Sequence, residues 1–360
     1  MPPTPSSRRS SRSAPAVLLL VLALLLAGCG SGDDDAPGTA AGTTTTAARA
    51  AGATFPATVT HKFGTVTVPE RPTRIVVAGL TEQDTVLQLG YTPVATTEWY
   101  GSQPSAVWPW AQKALGGAKP TVLKNADGLQ FEKIAALRPD LIIGTNAGMK
   151  ESDYRKLSRL APTIAAPKGS SDYFSPWNEQ TELIAAALGM PEQGRQLVQG
   201  VKDRYAAAAK AHPEFAGKTA TFTQGQIYNG ILYAYQPGLN TEFLSYLGFR
   251  INPKLDALVK EIGVQVEIST ERLEVADADV LVAATEKPAD VAKLLKVPTF
   301  DRLDAVAKDR TIYTDATLAG ALYFMTPLSL TYALDRLVPQ LDAALEGRAP
   351  RRVVDTAARR

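Results

Sequence analysis

Two stretches far apart in the chain are written on one plan. In FEKIAALRPDLII, Glu132 precedes Asp140 by eight residues, and in TERLEVADADVLV, Glu271 precedes Asp279 by eight. Each runs from a glutamate and a basic residue through apolar positions to an aspartate and a short run of Leu, Ile or Val. A continuous apolar run of that length reads as a strand buried on both faces, as in parallel sheets covered by helices on either side. The repeat therefore predicts two α/β lobes built alike. It also sets Glu132 and Glu271 at matching helix starts, one on each lobe, where a carboxylate complements the helix macrodipole by roughly 0.3–1 kcal/mol.

The rest of the chain follows the same grammar. Thr58 to Val68 alternates around Gly64 and predicts a hairpin. RIVVAG is a short buried strand, after which Thr81 and Asp84 form a Thr-x-x-Asp capping signal for a helix ending near Gly90. TPVAT is the next strand, and Arg138-Pro139 turns the chain from helix into strand. From Pro191 to about His212 the only breakers are Gly194 and Gly200, which predicts one long helix between two α/β blocks. Beyond it come the strand TATFT, a loop or hairpin in QGQIYNGILYAYQPG, a helix in TEFLSYLG, the strand TIYT and a closing helix from about Pro327 to Leu345. The expected organisation is an N-terminal lobe over 57–190, a connecting helix over 191–213, a C-terminal lobe over 214–347 and a tail over 348–360.

The first residues cannot belong to this body. Arg8, Arg9 and Arg12 precede an uncharged apolar run from Ala14 to Gly28, short for a membrane span of about 20 residues and suited to a signal peptide over 1–28. The run ends in LAGC, which resembles the lipobox of bacterial lipoproteins, with Cys29, the only cysteine, as the lipidated residue. A single cysteine permits no disulfide within the chain. Residues 29–56, rich in Gly, Ala, Thr, Ser and Asp, predict a flexible linker. Removing the three leader arginines takes the formal charge from +2 to −1, which gives no reason to expect a nucleic-acid partner. The twin arginines lack the apolar pair that would decide between export routes.

FGTVTVPERPTRIVVAG, TEQDTVLQLGYTPVATTEWYG, FEKIAALRPDLIIGTNAG, LSRLAPTIA and ISTERLEVADADVLVA, in this order and spacing, resemble the substrate-binding lipoproteins of ABC importers for iron siderophores, haem and cobalamin, especially actinobacterial iron-siderophore binding proteins. The resemblance runs from Thr58 to Leu345. It implies two Rossmann-like α/β lobes joined by one long rigid helix, the class III, helical-backbone type of periplasmic binding protein. It further implies a monomer tethered to the extracytoplasmic face of the cell membrane, with ligand held shallowly between the lobes. By the same resemblance, Glu132 and Glu271 meet arginines of the membrane permease.

Ligands of open α/β sheets lie outside the carboxyl ends of the strands. Five segments qualify as such loops: Leu80 to Gln83, Glu98 to Trp110, Asn146 to Met149, Gln224 to Tyr235 and Leu318 to Phe324. They offer Thr81, Gln83, Trp99, Tyr100, Asn146, Gln226, Tyr228, Tyr233, Tyr235 and Tyr323 as ligand contacts. Trp99 and Tyr100 directly follow a strand and are expected to face the ligand. Trp108 and Trp110, further along the same loop, either touch ligand or only pin the loop. If ILYAY is extended, Tyr233 and Tyr235 share one face. Six rings each covering about 60 Å² of ligand, at about 25 cal/mol per Å², give roughly 9 kcal/mol before ordering costs.

Only two histidines occur, His61 and His212, and neither falls in these loops. Direct binding of zinc or manganese calls for a His and carboxylate cluster, so the expected ligand is iron already wrapped in a chelator, with no metal ligands from the protein and no cofactor. The loops are sparse in Lys and Arg, which favours a neutral or cationic hydroxamate chelate over an anionic one. Haem is the alternative, with Tyr228 or Tyr233 as axial ligand, though its propionates lack basic partners here; cobalamin belongs to the same alternative. No Gly-x-Ser-x-Gly, phosphate loop or zinc-spaced His-Glu pair points to an enzyme. A reading of another class is an envelope lipoprotein acting as co-receptor or scaffold, which has no need of the paired glutamates.

Overall fold

The computed structural model describes residues 52–170, 173, 175–261 and 263–356. The expected leader, Cys29 and linker residues 29–51 lie outside the described residues. Among those described, no helix is long and apolar enough to cross a membrane.

A two-stranded hairpin, β1 (Ala57–His61) and β2 (Gly64–Val68), opens the body. A five-stranded sheet follows: β3 (Ile75–Val77), β4 (Ala95–Glu98), β5 (Thr121–Lys124), β6 (Leu141–Ile143) and β7 (Thr163–Ile164). Its order is β5-β4-β3-β6-β7 and every pairing is parallel. Side-chain alternation explains why its central strands are apolar throughout. Ile75, Val77, Leu141 and Ile143 enter one core layer, while Val76 and Ile142 enter the layer on the opposite face.

The second sheet contains β8 (Thr219–Tyr228), β9 (Ile231–Ala234), β10 (Arg250–Ile251), β11 (Val266–Ser269), β12 (Val280–Ala284) and β13 (Thr311–Tyr313). Its path is β11-β9-β8-β12-β13, with β10 beside the start of β8. Only β9 runs against its neighbours, because it returns from β8 in a hairpin. Val280 and Val282 face one core layer and Leu281 and Ala283 the other, as in the first sheet.

Between the two sheets in the chain lies the helix Pro191–Ala211. Proline at its first position leaves no helical hydrogen bond unmade. Val198, Val201 and Tyr205, at helical spacing, are its buried face, and the Tyr205 hydroxyl donates to the Leu330 carbonyl at 3.0 Å. The last helix among the described residues, Pro327–Leu345, packs against the helices Gln83–Gln88 and Pro109–Leu115 that follow β3 and β4. That packing brings the second sheet's last helix against the first sheet's loops.

The repeated aspartates have a structural task. Asp140 accepts hydrogen bonds from the Thr73 amide at 2.7 Å, the Thr73 hydroxyl at 2.8 Å and the Arg74 amide at 2.8 Å, fixing the start of β6 beside that of β3. Asp279 accepts from the Thr219 amide at 2.8 Å and hydroxyl at 2.9 Å, fixing β12 beside β8.

Three local expectations differ from what is observed. Leu318 to Phe324 is not a loop but most of the helix Ala316–Phe324, capped by Asp315 through the Leu318 amide at 2.7 Å. Its residues are apolar on nearly every side, so no helical stripe marks it. The Thr81 and Asp84 pair does not form a capping box: no side chain caps the helix Gln83–Gln88, and Asp84 turns into the protein interior. The ends of the linker and tail stretches are also packed. Ala53 and Phe55 pack against the first sheet's core, Val353 against the second's, and the Thr356 hydroxyl donates to Asp315 at 2.7 Å.

Candidate functional site

In the first sheet the strand order reverses at β3, and the crevice there opens between the loops after β3 and β6. The Leu80 amide reaches the Asn146 carbonyl across it at 3.3 Å. Two adjoining cavities occupy this edge and the facing edge of the second sheet, and they share Trp99 and Tyr323 as a common wall. The first, about 280 Å³, is lined by Leu80, Asn125, Asn146, Tyr173, Ser175, Gln180, Asn240, Phe324 and Met325 besides the shared pair. The second, about 260 Å³, adds Tyr100, Gln224, Gly225, Gln226, Tyr228, Tyr235, Gln265, Ala284 and Glu286.

Trp99 is 37% exposed, edge-on to Tyr100 at 5.0 Å and stacked on Phe324 at 5.7 Å. Tyr235 stacks on Phe222 at 4.4 Å, which anchors its ring in the second lobe's core. Burial holds the Tyr100 and Tyr323 hydroxyls well above the ordinary phenol pKa, so both stay neutral donors. The Tyr100 hydroxyl, Asn146 Oδ1 and Ser175 Oγ are buried with no hydrogen-bond partner among the described residues, and all three residues line the cavities. A buried polar atom left unpaired is costly, so each is a ready partner for a bound molecule.

The structure separates the remaining candidates. Trp108 is 2% exposed and lines neither cavity. Its ring stacks on Trp110 at 5.1 Å and fills a slot between Gly101 and Gly320, where a side chain's first carbon would lie 2.7 Å from the indole. Trp110 is half-buried; its indole nitrogen donates to Asp84 at 2.6 Å and its ring meets Tyr332 at 5.5 Å. Both are pins between the lobes rather than cavity walls. Gln83 is fully buried and spends its amide on the Leu80 and Ala106 carbonyls. Thr81 is buried behind the cleft, its hydroxyl taken by Asn146 at 3.3 Å. Tyr233 lines neither cavity; in the backbone register of β9 and β11 it stands opposite Glu267.

Asn125, Tyr173, Ser175, Gln180, Asn240, Gln265 and Glu286 line the cavities without having been singled out in the sequence. Asn125 follows β5 and Glu286 follows β12, so the strand-end rule reaches both when it is applied to every strand.

Among the described residues, neither cavity is lined by Lys, Arg or His, and Glu286 is the one charged residue on either wall. Among the described residues, a group able to hold a metal ion occurs at His212, Glu214 and Asp342, and none of these lines a cavity. Glu132 and Glu271 are exposed, in the first turns of the helix Phe131–Ala136 and the 3-10 segment Thr270–Ala276. Each follows the carboxyl end of a strand, β5 and β11, so both sit on the sheet edges that carry the cavities.

Paired α/β sheets with a cleft along their carboxyl edges define a solute-binding protein. Residues 75–318 match the periplasmic binding protein family, and the chain belongs to it; it is not an enzyme. A solved periplasmic solute binding protein from Mycobacterium smegmatis str. MC2 155 is 40% identical, with a TM-score of 0.74 over 80% of this chain and 98% of that one. PiaA from Streptococcus pneumoniae TIGR4, solved in complex with ferrichrome, is 25% identical, with a TM-score of 0.70 over 81% of this chain and 99% of PiaA. YhfQ of Bacillus subtilis (strain 168), provisionally named an ABC transporter substrate-binding lipoprotein, is 27% identical over 246 residues, 65% of this chain and 71% of YhfQ.

Proposed function

We propose that this chain captures an iron chelate of the hydroxamate class outside the cytoplasm and hands it to the permease of an ABC importer. The observation that carries this reading is the cavity lining: aromatic faces, amides, neutral hydroxyls and one carboxylate, with no basic side chain among the described residues. Such a wall recognises the organic shell of a chelate, whose metal is already fully coordinated. Among the described residues it offers no cation to pair the propionates of haem. The ferrichrome complex of PiaA and the importer name of YhfQ support the same reading. If radioactive iron is supplied as a ferric trihydroxamate, it should stay with the protein through gel filtration, and haem should not. Retention of haem alone would refute the chelate assignment.

Glu132 and Glu271 are the permease contacts in this reading, and lipid on Cys29 is the tether. Exposed ion pairs contribute only about 0–1 kcal/mol each, so the pair acts on docking orientation and rate more than on affinity. Cells whose sole copy carries Glu132→Arg and Glu271→Arg should lose chelate uptake at least tenfold, while the purified double variant retains chelate like the parent. Loss of retention would place the glutamates in the ligand site, and full uptake would return them to the scaffold reading.

A further inference from the structure

The second cavity differs from the first in one respect that the chelate reading leaves unused. Its wall carries Trp99, Tyr100, Tyr228, Tyr235 and Tyr323, and among these rings stands Glu286, the single carboxylate among the described lining residues. Glu286 sits just past β12, at the sheet's carboxyl edge. Its backbone amide donates to Asp290 Oδ2 at 3.2 Å, and Asp290 is fully buried with Oδ1 lacking any partner, so a second carboxylate stands behind the first. Desolvation first and Asp290 second push the Glu286 carboxyl up, Lys287 opposes them, and Glu286 in turn helps to raise the phenols of Tyr100, Tyr228 and Tyr323. Lys287 itself does not line the cavity. A partly desolvated carboxylate ringed by π faces is the surrounding in which an organic cation is held by both charge and ring quadrupoles.

We infer that the second cavity is a subsite for a cationic arm of the ligand, a primary ammonium carried on the chelate's periphery, with Glu286 as its counter-ion and Tyr228 as an exposed face against it. The inference rests on the chelate reading and narrows it: the protein selects ferric hydroxamates that carry a positive charge. Two chelates that differ at one nitrogen test it, ferrioxamine B with its terminal ammonium and the same compound N-acetylated. The measured quantity is the ratio of their affinities for the full chain.

That ratio should favour the ammonium form roughly tenfold, the scale of a cation held by rings and a carboxylate. It should fall as salt is raised. It should collapse toward one in Glu286→Gln and shrink in Tyr228→Leu, where the half-exposed ring of Tyr228 makes loss of folding no concern. A ratio near one in the parent protein, or a tenfold ratio that survives Glu286→Gln, overturns the subsite while leaving chelate binding intact. Failure of both compounds to bind overturns the chelate reading and the subsite together.

Discussion

Replacing Trp108 by alanine is expected to destabilise the protein by about 3–5 kcal/mol, the range for deleting a large buried aromatic side chain. The indole is almost wholly buried and is held by Trp110 at 5.1 Å, Tyr100 at 5.2 Å and Phe324 at 5.8 Å. Gly101 and Gly320 come so close on either side that the surrounding backbone is shaped around the ring. Since Gly320 and Phe324 belong to the helix Ala316–Phe324, the cavity left behind would open the seam between the lobes. Trp99→Ala should behave in the opposite way. Its ring already meets solvent, so stability should change by less than about 1 kcal/mol. Uncovering about 60 Å² of ligand removes about 1.5 kcal/mol of binding, roughly tenfold. Thermal melts and chelate titrations of the two variants separate these effects; a Trp99→Ala variant that unfolds while Trp108→Ala melts like the parent would reverse the assignment.

Asp84→Asn is expected to stabilise the protein at pH 8 by roughly 2–4 kcal/mol and to leave it nearly unchanged at pH 4. The Asp84 carboxyl is fully buried, and burial pushes its pKa up to about 7 despite hydrogen bonds from Thr326 at 2.7 Å and Trp110 at 2.6 Å. Between its unfolded value of 3.8 and about 7, the folded state keeps a proton that the unfolded chain releases. Stability contributed by this group therefore falls as pH rises through that window, and the loss is complete above it. Both bonds go to Oδ2, whereas Oδ1 has no partner. An asparagine oxygen can accept the same two donors without burying a charge. Urea unfolding of parent and variant at pH 4 and pH 8 checks the difference; a variant less stable than the parent at pH 8 would show that the ionised carboxylate is needed at the seam.

The parallel strands β3, β6 and β12 were legible because they are apolar on both faces, and the long helix because nothing in 191–211 but two glycines interrupts it. Asp140 and Asp279 were visible as a repeat, but their bonds to Thr73 and Thr219 join residues some sixty positions apart, which no local pattern encodes. For the same reason Asp84 looked like a helix cap, when its partners Trp110 and Thr326 come from two other helix starts. The helix Ala316–Phe324 was missed because a segment buried on nearly every side has no stripe. In the cleft, Trp99, Tyr100, Asn146, Gln226, Tyr228, Tyr235 and Tyr323 were reached from the strand-end rule and line the cavities, although Gln226 and Tyr228 belong to β8 itself and Tyr323 to the helix Ala316–Phe324. Tyr173, Ser175 and Gln180 come from the stretch after β7 and the helix behind it, where neither composition nor spacing marks a site.

The central claim is that an intact ferric chelate occupies the cavities on either side of Trp99. Tryptophan fluorescence reads this directly, because Trp99 alone among the four tryptophans lines either of these two cavities. Titration with a ferric trihydroxamate should give saturable quenching at micromolar concentration with one chelate per chain. Free ferric ion should give none, and most of the signal should vanish in Trp99→Phe. Quenching that saturates with the free metal ion, or with haem alone, or no saturable quenching by any ferric chelate, would contradict the claim.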